Sequence, residues 1–182
     1  MKYTVKFNVE NDEKLIKDVM KLDSLCYSQD MQGTFDTIYA RYSKNKDSFV
    51  LIYDKDYLIG YICFFPISNR LMESIYKYNN FHDTDIQPED IVEYGKSDKY
   101  NIFIISVVIH PTYQGSEVVK YLSDSFVDRI KYINQNNKIN KIIGISVSNK
   151  GSKFMEKLNL SKIKELKDGH MLYDCDYARI RR

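Results

Sequence analysis

One continuous segment limits the folds open to this chain: an apolar strand, a short loop and the start of an amphipathic helix. The strand, Ile102–Ile109, has only Ser106 as a polar residue, a pattern typical of a strand buried on both faces. His110-Pro111 ends the strand, Gln114-Gly115 marks a loop, and apolar residues recur at helical spacing from Val118 onward. A loop between a strand and a helix N-terminus is a common phosphate-binding arrangement, because backbone N–H groups converge there.

The composition favours one globular domain. A chain of 182 residues with 43% apolar and 14% aromatic residues can bury a sizeable core, so 1–182 is expected to be a single domain. The net charge of +2 argues against nucleic-acid binding. No apolar run could cross a bilayer and no signal-peptide core is present, so no membrane partner is expected. Cys26, Cys63 and Cys175 fit neither a disulfide framework nor a metal site, and favour a reducing, cytoplasmic location without a metal.

Hydrophobic periodicity predicts strands by alternation and helices by spacings of three and four residues. The expected strands lie at residues 3–9, 48–53, 57–65, 102–109, 141–148, 163–166 and 171–177. The expected helices lie at residues 15–26, 35–42, 118–133 and 149–158, and the stretch 67–78 also has helical spacing. Thr34 and Asn149 are expected to cap helices, and Gly60 to mark a β-bulge.

Residues 67–99 form the least regular part of the chain and are interpreted as an insertion. The part from Phe81 onward is polar and acidic, which is compatible with a substrate-facing connection but favours a solvated surface loop. If the loop does face substrate, Glu89, Asp90 and Glu93 would suit a cationic amine such as a polyamine, an aminoglycoside or a Lys-rich peptide.

The loop after the apolar strand resembles a signature of the GNAT superfamily of N-acetyltransferases. That family carries V-x-P-x-x-[RQ]-G-x-[GA]-x-[GA] between its fourth strand and third helix, and Ile109–Val119 reads I-H-P-T-Y-Q-G-S-E-V-V. The Pro, the Gln and the first Gly match. The two small residues that follow are replaced by Glu117 and Val119.

A second motif downstream strengthens the resemblance. The family often carries N-x-x-[AS]-x-x-[FL]-Y-E-K-L-G-F around its fourth helix, and Asn149–Leu160 is a version one residue shorter, with Met155 in place of the Tyr. Two motifs at the family's separation imply its fold, of α/β (α+β) class. That fold is a mixed central sheet of about seven strands with a splayed central pair, flanked by about four helices. A chance match on an unrelated α/β domain would lack the splayed strands.

The resemblance implies acetyl-CoA as co-substrate, bound where the fourth and fifth strands part. Freed backbone groups of the fourth strand would pair with the pantetheine arm, and one N–H would stabilise the oxyanion of the tetrahedral intermediate. The residues assigned to CoA by this resemblance are Val107, Val108, Ile109, Gln114, Gly115, Ser116, Glu117, Val118, Val119, Lys120, Asn149 and Ser152. A side chain at Gly115 would block the phosphates, so Gly115→Glu is expected to abolish CoA binding with little change in melting.

The catalytic residues are not identified by the resemblance. Family members frequently place a glutamate near the start of the fourth strand, but Tyr100–Phe103 has no carboxylate, and Met155 cannot donate a proton. Two functions therefore remain open. One is an N-acetyltransferase in which a small-molecule or peptide amine attacks acetyl-CoA directly. The other is a catalytically degenerate GNAT-like protein that binds CoA or regulates a partner. Either could form a homodimer.

Overall fold

The computed structural model describes residues 2–9 and 11–180. Their strands form one seven-stranded sheet in the order β1-β2-β3-β4-β5-β7-β6. The strands are β1 Thr4–Lys6, β2 Phe49–Asp54, β3 Tyr57–Ile67, β4 Tyr100–Ile109, β5 Ile139–Ser146, β6 Ser161–Glu165 and β7 Met171–Asp176. Every neighbouring pair is antiparallel except β4 and β5, which run parallel. The sheet is therefore mixed, as predicted.

Five helices in the described residues cover the sheet. They are α1 Asp12–Asp23, α2 Phe35–Lys44, α3 Asn69–Lys77, α4 Val118–Asn134 and α5 Asn149–Lys157. Thr34 caps α2 as predicted, since its hydroxyl accepts from the N–H of Thr37. The cap of α5 is Ser148, not Asn149, because the Ser148 hydroxyl accepts from the N–H of Gly151 and Asn149 is already the first helical residue.

The central strands part halfway along their length. Pairing between β4 and β5 ends at Ile104 and Gly144, while β4 continues beside β3 as far as Ile109. Ile105 is an extra residue in β4, because Cys63 and Phe64 of β3 pair with the residues on either side of it. The predicted splayed pair is confirmed, and it leaves one edge of β4 without a neighbouring strand.

Gly60 lies beside a bulge but does not form it. The register shift between β2 and β3 makes Ile59 the extra residue, since Ile52 pairs with Gly60 and Tyr53 pairs with Leu58. A Cβ on Gly60 would lie 3.3 Å from the carbonyl oxygen of Val108. The glycine therefore allows close approach between the backbones of β3 and β4.

Each face of the sheet has its own apolar layer. On one face α4 buries Val118, Leu122, Phe126 and Ile130 at intervals of four residues, together with α5. Phe126 meets Phe64 of β3 edge to face at 5.2 Å. Burying each such side chain stabilises the fold by roughly 1.5–3 kcal/mol. Helices α1 and α2 cover the other face beside residues 67–99.

A few apolar side chains anchor residues 67–99 on the sheet. The interpretation of 81–99 as a solvated loop therefore holds for its polar residues, most of which are exposed, but not for its apolar ones. Buried side chains from α3 and from the chain after it form a separate apolar layer against β3, β4, β5 and β7. These side chains are Leu71, Ile75, Phe81, Ile86 and Ile91. Leu71 and Ile75 lie one turn apart on α3, whereas the apolar side chains after α3 are irregularly spaced because single-turn 3-10 segments, rather than a long helix, form that part of the chain.

Candidate functional site

A cavity of about 1040 Å³ opens where β4 and β5 part. It extends from the loop before α4 and the length of α5, past the free edge of β4, to the end of α1, one side of α2 and two surface turns. Clefts of this size at a break in a sheet are the usual place for a small-molecule or cofactor site. The cleft therefore follows directly from the early end of β4–β5 pairing.

Half of the residues assigned to CoA from the sequence line this cavity. Those that line it are Val107, Val108, Ile109, Gln114, Gly115 and Val119. Those that do not are Ser116, Glu117, Val118, Lys120, Asn149 and Ser152. Val118 is fully buried in the layer beneath α4, and Lys120 pairs with Asp124 on the outer face of that helix at 2.9 Å.

The free edge of β4 presents backbone groups to the cleft. The N–H of His110 donates across to the carbonyl of Ile59 on β3 at 2.8 Å. Because successive residues of a strand point their backbone groups to alternate sides, those of Ile109 and Val107 point to the open edge. The Ile109 carbonyl accepts from Nε2 of Gln114 at 3.0 Å. An extended ligand could therefore pair with this edge as an added strand would.

Most backbone N–H groups of residues 114–120, in the loop after β4 and the start of α4, already donate to nearby acceptors in the protein. Gln114 donates to Pro111, and Ser116 donates to Tyr113. Val118 donates to the hydroxyl of Ser116 at 3.2 Å, while Val119 and Lys120 donate to the carbonyls of Ser116 and Glu117. Within the described chain, Gly115 and Glu117 are the only residues of the segment 114–120 whose backbone N–H has no acceptor in the protein. Fewer backbone N–H groups are therefore available to bind phosphate than the sequence predicted.

Gly115 is required by its backbone conformation. Its φ of +78° lies in the left-handed region, and an added Cβ would meet no atom within 4 Å. The space around it is open, so a side chain would cost backbone strain rather than a clash within the protein. The expectation that Gly115→Glu leaves melting almost unchanged is therefore revised.

Glu117 pairs with the N-terminal segment, outside the cleft lining. Its carboxylate lies 3.3 Å from Nζ of Lys2, and both side chains are at least half exposed. The carboxylate that replaces a small residue of the family signature thus has a cationic partner of its own.

A cationic surface forms the cleft wall opposite the loop. Lys150, Lys153 and Lys157 of α5 all line the cavity, since spacings of three and four residues place them on one side of the helix. Nζ of Lys150 donates to the side-chain oxygen of Gln114 at 2.7 Å and so bridges the two walls. This cluster of positive charge suits a phosphorylated ligand.

The other end of the cleft is acidic. Asp30, Asp83 and Asp168 line it together with His82 and His170, and Nε2 of His82 lies 3.2 Å from the carboxylate of Asp168. One guanidinium also lines the cavity: that of Arg41, which donates to the carbonyl of Asp83 at 3.1 Å. These carboxylates come from three separate segments, so their meeting could not be predicted from local sequence patterns.

The acidic residues singled out in the insertion lie elsewhere. Glu89, Asp90 and Glu93 do not line the cleft. Asp90 is buried and pairs with Arg70 at 2.7 Å, so it stabilises the insertion. The sequence-based assignment of these three residues to a cationic acceptor is not supported by their position.

A buried polar network lies in the middle of the cleft. The Tyr61 hydroxyl on β3 donates to the carboxylate of Asp23, the last residue of α1, and lies 3.1 Å from the Ser106 hydroxyl. The Tyr27 hydroxyl lies 3.2 Å from the same Ser106 oxygen. Burial raises the pKa of Asp23 to about 6 although the Tyr61 hydrogen bond opposes the shift, and burial raises the pKa of Tyr27 to about 12. All four side chains line the cavity.

Sequence reasoning missed this network, although two signals pointed to it. Asp23 interrupts the apolar stripe of α1, where Val19 and Ile16 lie one and two turns before it. A carboxylate at a core-facing position is rare without a specific role. Ser106 is likewise the single polar residue in an otherwise apolar strand segment.

Met155 lines the cleft at the position where the family motif often has a tyrosine, which could donate a proton as a general acid. Its side chain is buried and rests against Gly144, where an added Cβ would lie 2.7 Å from the Met155 methyl group. The thioether fills space and has no proton to donate.

The described residues contain neither a metal-binding cluster nor a membrane-spanning helix. Across residues 2–9 and 11–180, no three His, Cys, Asp or Glu side chains are grouped so as to hold a metal ion. No helix in the same residues is long and apolar enough to span a bilayer.

The fold is similar to several solved structures. The loading GNATL domain of CurA from Lyngbya majuscula superposes with a TM-score of 0.72 at 16% identity, covering 97% of this chain and 98% of that one. The GphF GNAT-like decarboxylase with isobutyryl-CoA gives 0.68 at 6% identity over 96% and 99%. The yncA protein of Salmonella typhimurium with acetyl-CoA gives 0.59 at 13% identity over 100% and 98%. At these identities the likeness concerns the fold.

The sequence itself places the chain in a family. No curated protein matches it. The profile of the acetyltransferase (GNAT) family matches residues 16–158, a span that includes the splayed strands, the glycine loop and α5. The chain therefore belongs to the GNAT acetyltransferase family.

Proposed function

We propose that the protein is an N-acetyltransferase that moves the acetyl group of acetyl-CoA directly to an amine. The observation that carries the proposal is the cleft, in which the free backbone edge of β4 lies between a cationic end and an acidic end. A ligand with phosphates at one end and a transferable acyl group at the other fits this distribution of charge. An amine acceptor would enter from the acidic end.

The charges that line the cleft would determine the direction in which CoA lies. Its phosphates would meet Lys150, Lys153 and the N–H of Gly115, while its pantetheine amides would pair with the backbone edge at Val107. The similar yncA structure contains acetyl-CoA. In this pose the thioester lies beside the bulge of β4, near Ser106.

The chemistry needs a neutral amine close to the thioester carbon. The amine nitrogen attacks, the carbonyl oxygen becomes an oxyanion, and a backbone N–H of β4 stabilises it. The C–S bond then breaks and CoA leaves as a thiolate. A thiol with a pKa near that of cysteine, about 8.5, leaves without strong acid assistance, so Met155 is compatible with turnover. Positioning the two reactants supplies a large part of the rate.

The acceptor would be a small molecule or a peptide that carries an ammonium group. Asp30, Asp83 and Asp168 give the far end of the cleft a negative charge that would attract such a group. A cytoplasmic protein would meet both acetyl-CoA and such amines in a reducing setting, in which Cys26 and Cys63 stay free thiols.

A second candidate function is CoA binding without transfer. Two observations favour it: Met155 replaces the family's acid, and the start of β4 at Tyr100–Phe103 has no carboxylate. Such a protein would bind CoA at the same cleft and would release no free thiol in the presence of amines.

Calorimetry with CoA, followed by a thiol-release assay, tests the proposal. We expect acetyl-CoA to bind and free CoA to accumulate when a panel of polyamines, aminoglycosides and peptides is added. Mass spectrometry should find the amide product. Binding without thiol release would favour the second candidate. No binding at millimolar acetyl-CoA would contradict both, and loss of carbon dioxide from a carboxylated acyl-CoA without an amide product would indicate decarboxylation, as in the similar GphF.

A further inference from the structure

Asp23 combines burial with access to the cleft. Its side chain is 7% exposed and lines the cavity. One carboxylate oxygen, Oδ1, accepts from the Tyr61 hydroxyl. Among the described residues no side chain or backbone group donates to Oδ2. A buried carboxylate normally has a cation or several donors around it. Asp23 lacks them within residues 2–9 and 11–180, so its open side is suited to a donor supplied by a ligand.

The network places this carboxylate close to the free edge of β4. Tyr61 contacts Asp23 and Ser106 through one hydroxyl, so Asp23 is two hydrogen bonds from the Ser106 oxygen. Ser106 follows the bulged residue of β4 and precedes Val107, whose backbone points to the open edge. Tyr27 holds Ser106 from the other side at 3.2 Å.

We propose that Asp23 binds the ammonium group of the acceptor and removes the proton that must leave before the nitrogen attacks, with Tyr61 as a positioning residue. The inference rests on the proposed function and identifies a base for it. It explains how a chain without a carboxylate at the start of β4 can handle the proton, since the base comes from α1 instead.

The proton balance is complete without a further reactant. One N–H bond of the ammonium breaks, the proton moves to Asp23, and the lone pair forms the C–N bond as the thioester C–S bond breaks. The CoA thiolate takes the second proton lost by nitrogen. Asp23 then returns its proton to solvent through the cleft, so each turnover releases one proton, one amide and one CoA thiol.

The titratable side chains that face Asp23 do not lose a proton near neutral pH, so Asp23 is the group among them that titrates there. They are Tyr61 and Cys63 of β3 and Cys26 and Tyr27 after α1, and burial raises the pKa of each, so all four stay protonated. Beyond them, Asp83 interacts with Tyr27, and Arg41 of α2 interacts with Cys63. A carboxyl group with a pKa of about 6 is largely ionised at pH 7 and is a stronger base than an ordinary aspartate.

The test compares Asp23→Asn with Asp174→Asn. Asp174 is a matched control, because it is also buried and accepts from a tyrosine, Tyr76, but it does not line the cleft. The assay uses the amine of the panel that the wild type acetylates fastest. We expect Asp23→Asn to lower kcat about 10²–10⁴-fold, the usual contribution of a general base, while acetyl-CoA affinity stays within about twofold. Asp174→Asn should keep the wild-type pH profile.

A second variant tests the positioning role of Tyr61. Its hydrogen bond favours the ionised carboxylate, so Tyr61→Phe should raise the pKa of Asp23 and move the acidic limb of the kcat profile to higher pH. A merely structural tyrosine would lower activity without moving the limb. The proposal is overturned if Asp23→Asn retains kcat within about threefold or keeps the acidic limb. Thiol release by the wild type alone decides the proposed function, so the two failures are distinguishable.

Discussion

The hydroxyl of Tyr61 donates to the carboxylate of Asp23, and this bond joins the middle of β3 to the end of α1 inside the cleft. The carboxylate is held where ionisation is unfavourable. Its pKa in the folded protein is about 6, whereas an unfolded chain gives the ordinary value near 3.8. The protein therefore contains a group that weakens the fold above pH 6, a property common at functional sites.

The first prediction concerns stability and pH. The pKa of Asp23 is higher in the folded protein than in the unfolded chain. The contribution of this group to the free energy of unfolding is therefore greatest below pH 3.8 and is lost as pH rises through 6. The two-unit difference corresponds to at most about 3 kcal/mol. Asp23→Asn should therefore increase the free energy of unfolding at pH 8 and bring little gain at pH 4. Urea unfolding at both pH values measures this, and an Asn variant less stable than the wild type at pH 8 would contradict it.

The second prediction separates backbone strain from ligand contact. Gly115→Glu should lose roughly 1–2 kcal/mol of stability, because φ is +78° there, and should also weaken CoA binding about tenfold or more. Gly95 is the control, since its φ is +83°, an added Cβ would meet nothing, and it does not line the cleft. Gly95→Glu should show the same fall in melting temperature with unchanged CoA affinity by calorimetry. Equal affinities for the two variants would remove the assignment of this loop to CoA.

The third prediction places the phosphate contacts on α5 rather than α4. Lys150→Ala should weaken CoA binding about tenfold at low salt, and the effect should shrink as salt screens the charge. Lys120→Ala should bind CoA as the wild type does, because Lys120 pairs with Asp124 outside the cleft. Titration calorimetry at two salt concentrations compares them. A larger loss for Lys120→Ala would restore the sequence-based assignment.

The fourth prediction concerns the packing of residues 67–99. Tyr76 of α3 donates to Asp174 of β7, which also pairs with Lys141 of β5 at 2.8 Å. Asp174→Ala should reduce stability by about 2–3 kcal/mol, because the Tyr76 hydroxyl loses its acceptor and Lys141 keeps only Asp176, at 3.5 Å. Tyr76→Phe should cost only about 1–2 kcal/mol. Urea unfolding measures both, and equal losses would show that the tyrosine carries the contact.

The sequence predicted the scaffold better than the site. Helices, strands and the splayed pair follow from hydrophobic spacing and from the two motifs, both of which are local. The predicted strand at 3–9 shortens to Thr4–Lys6, because edge strands have one partner only. Asp23 and Ser106 stand out in the sequence as polar residues in apolar settings, but their meeting could not be predicted, because they lie 83 positions apart and come together only when the chain folds. The acidic end of the cleft could not be predicted for the same reason.

The extra residue Ile105 decides which face of the sheet each side chain in the second half of β4 occupies. Ile102 and Ile104 face the layer beneath α4, whereas Ser106 and Val108 face α1, although the four share the same parity in the chain. A deletion at this position would turn the second half of β4 over. It would bury the serine among apolar side chains and point valine at the tyrosines. A change of one residue in the length of this strand would therefore remove the hydrogen bonds of Ser106 to Tyr27 and Tyr61, even with every other side chain kept.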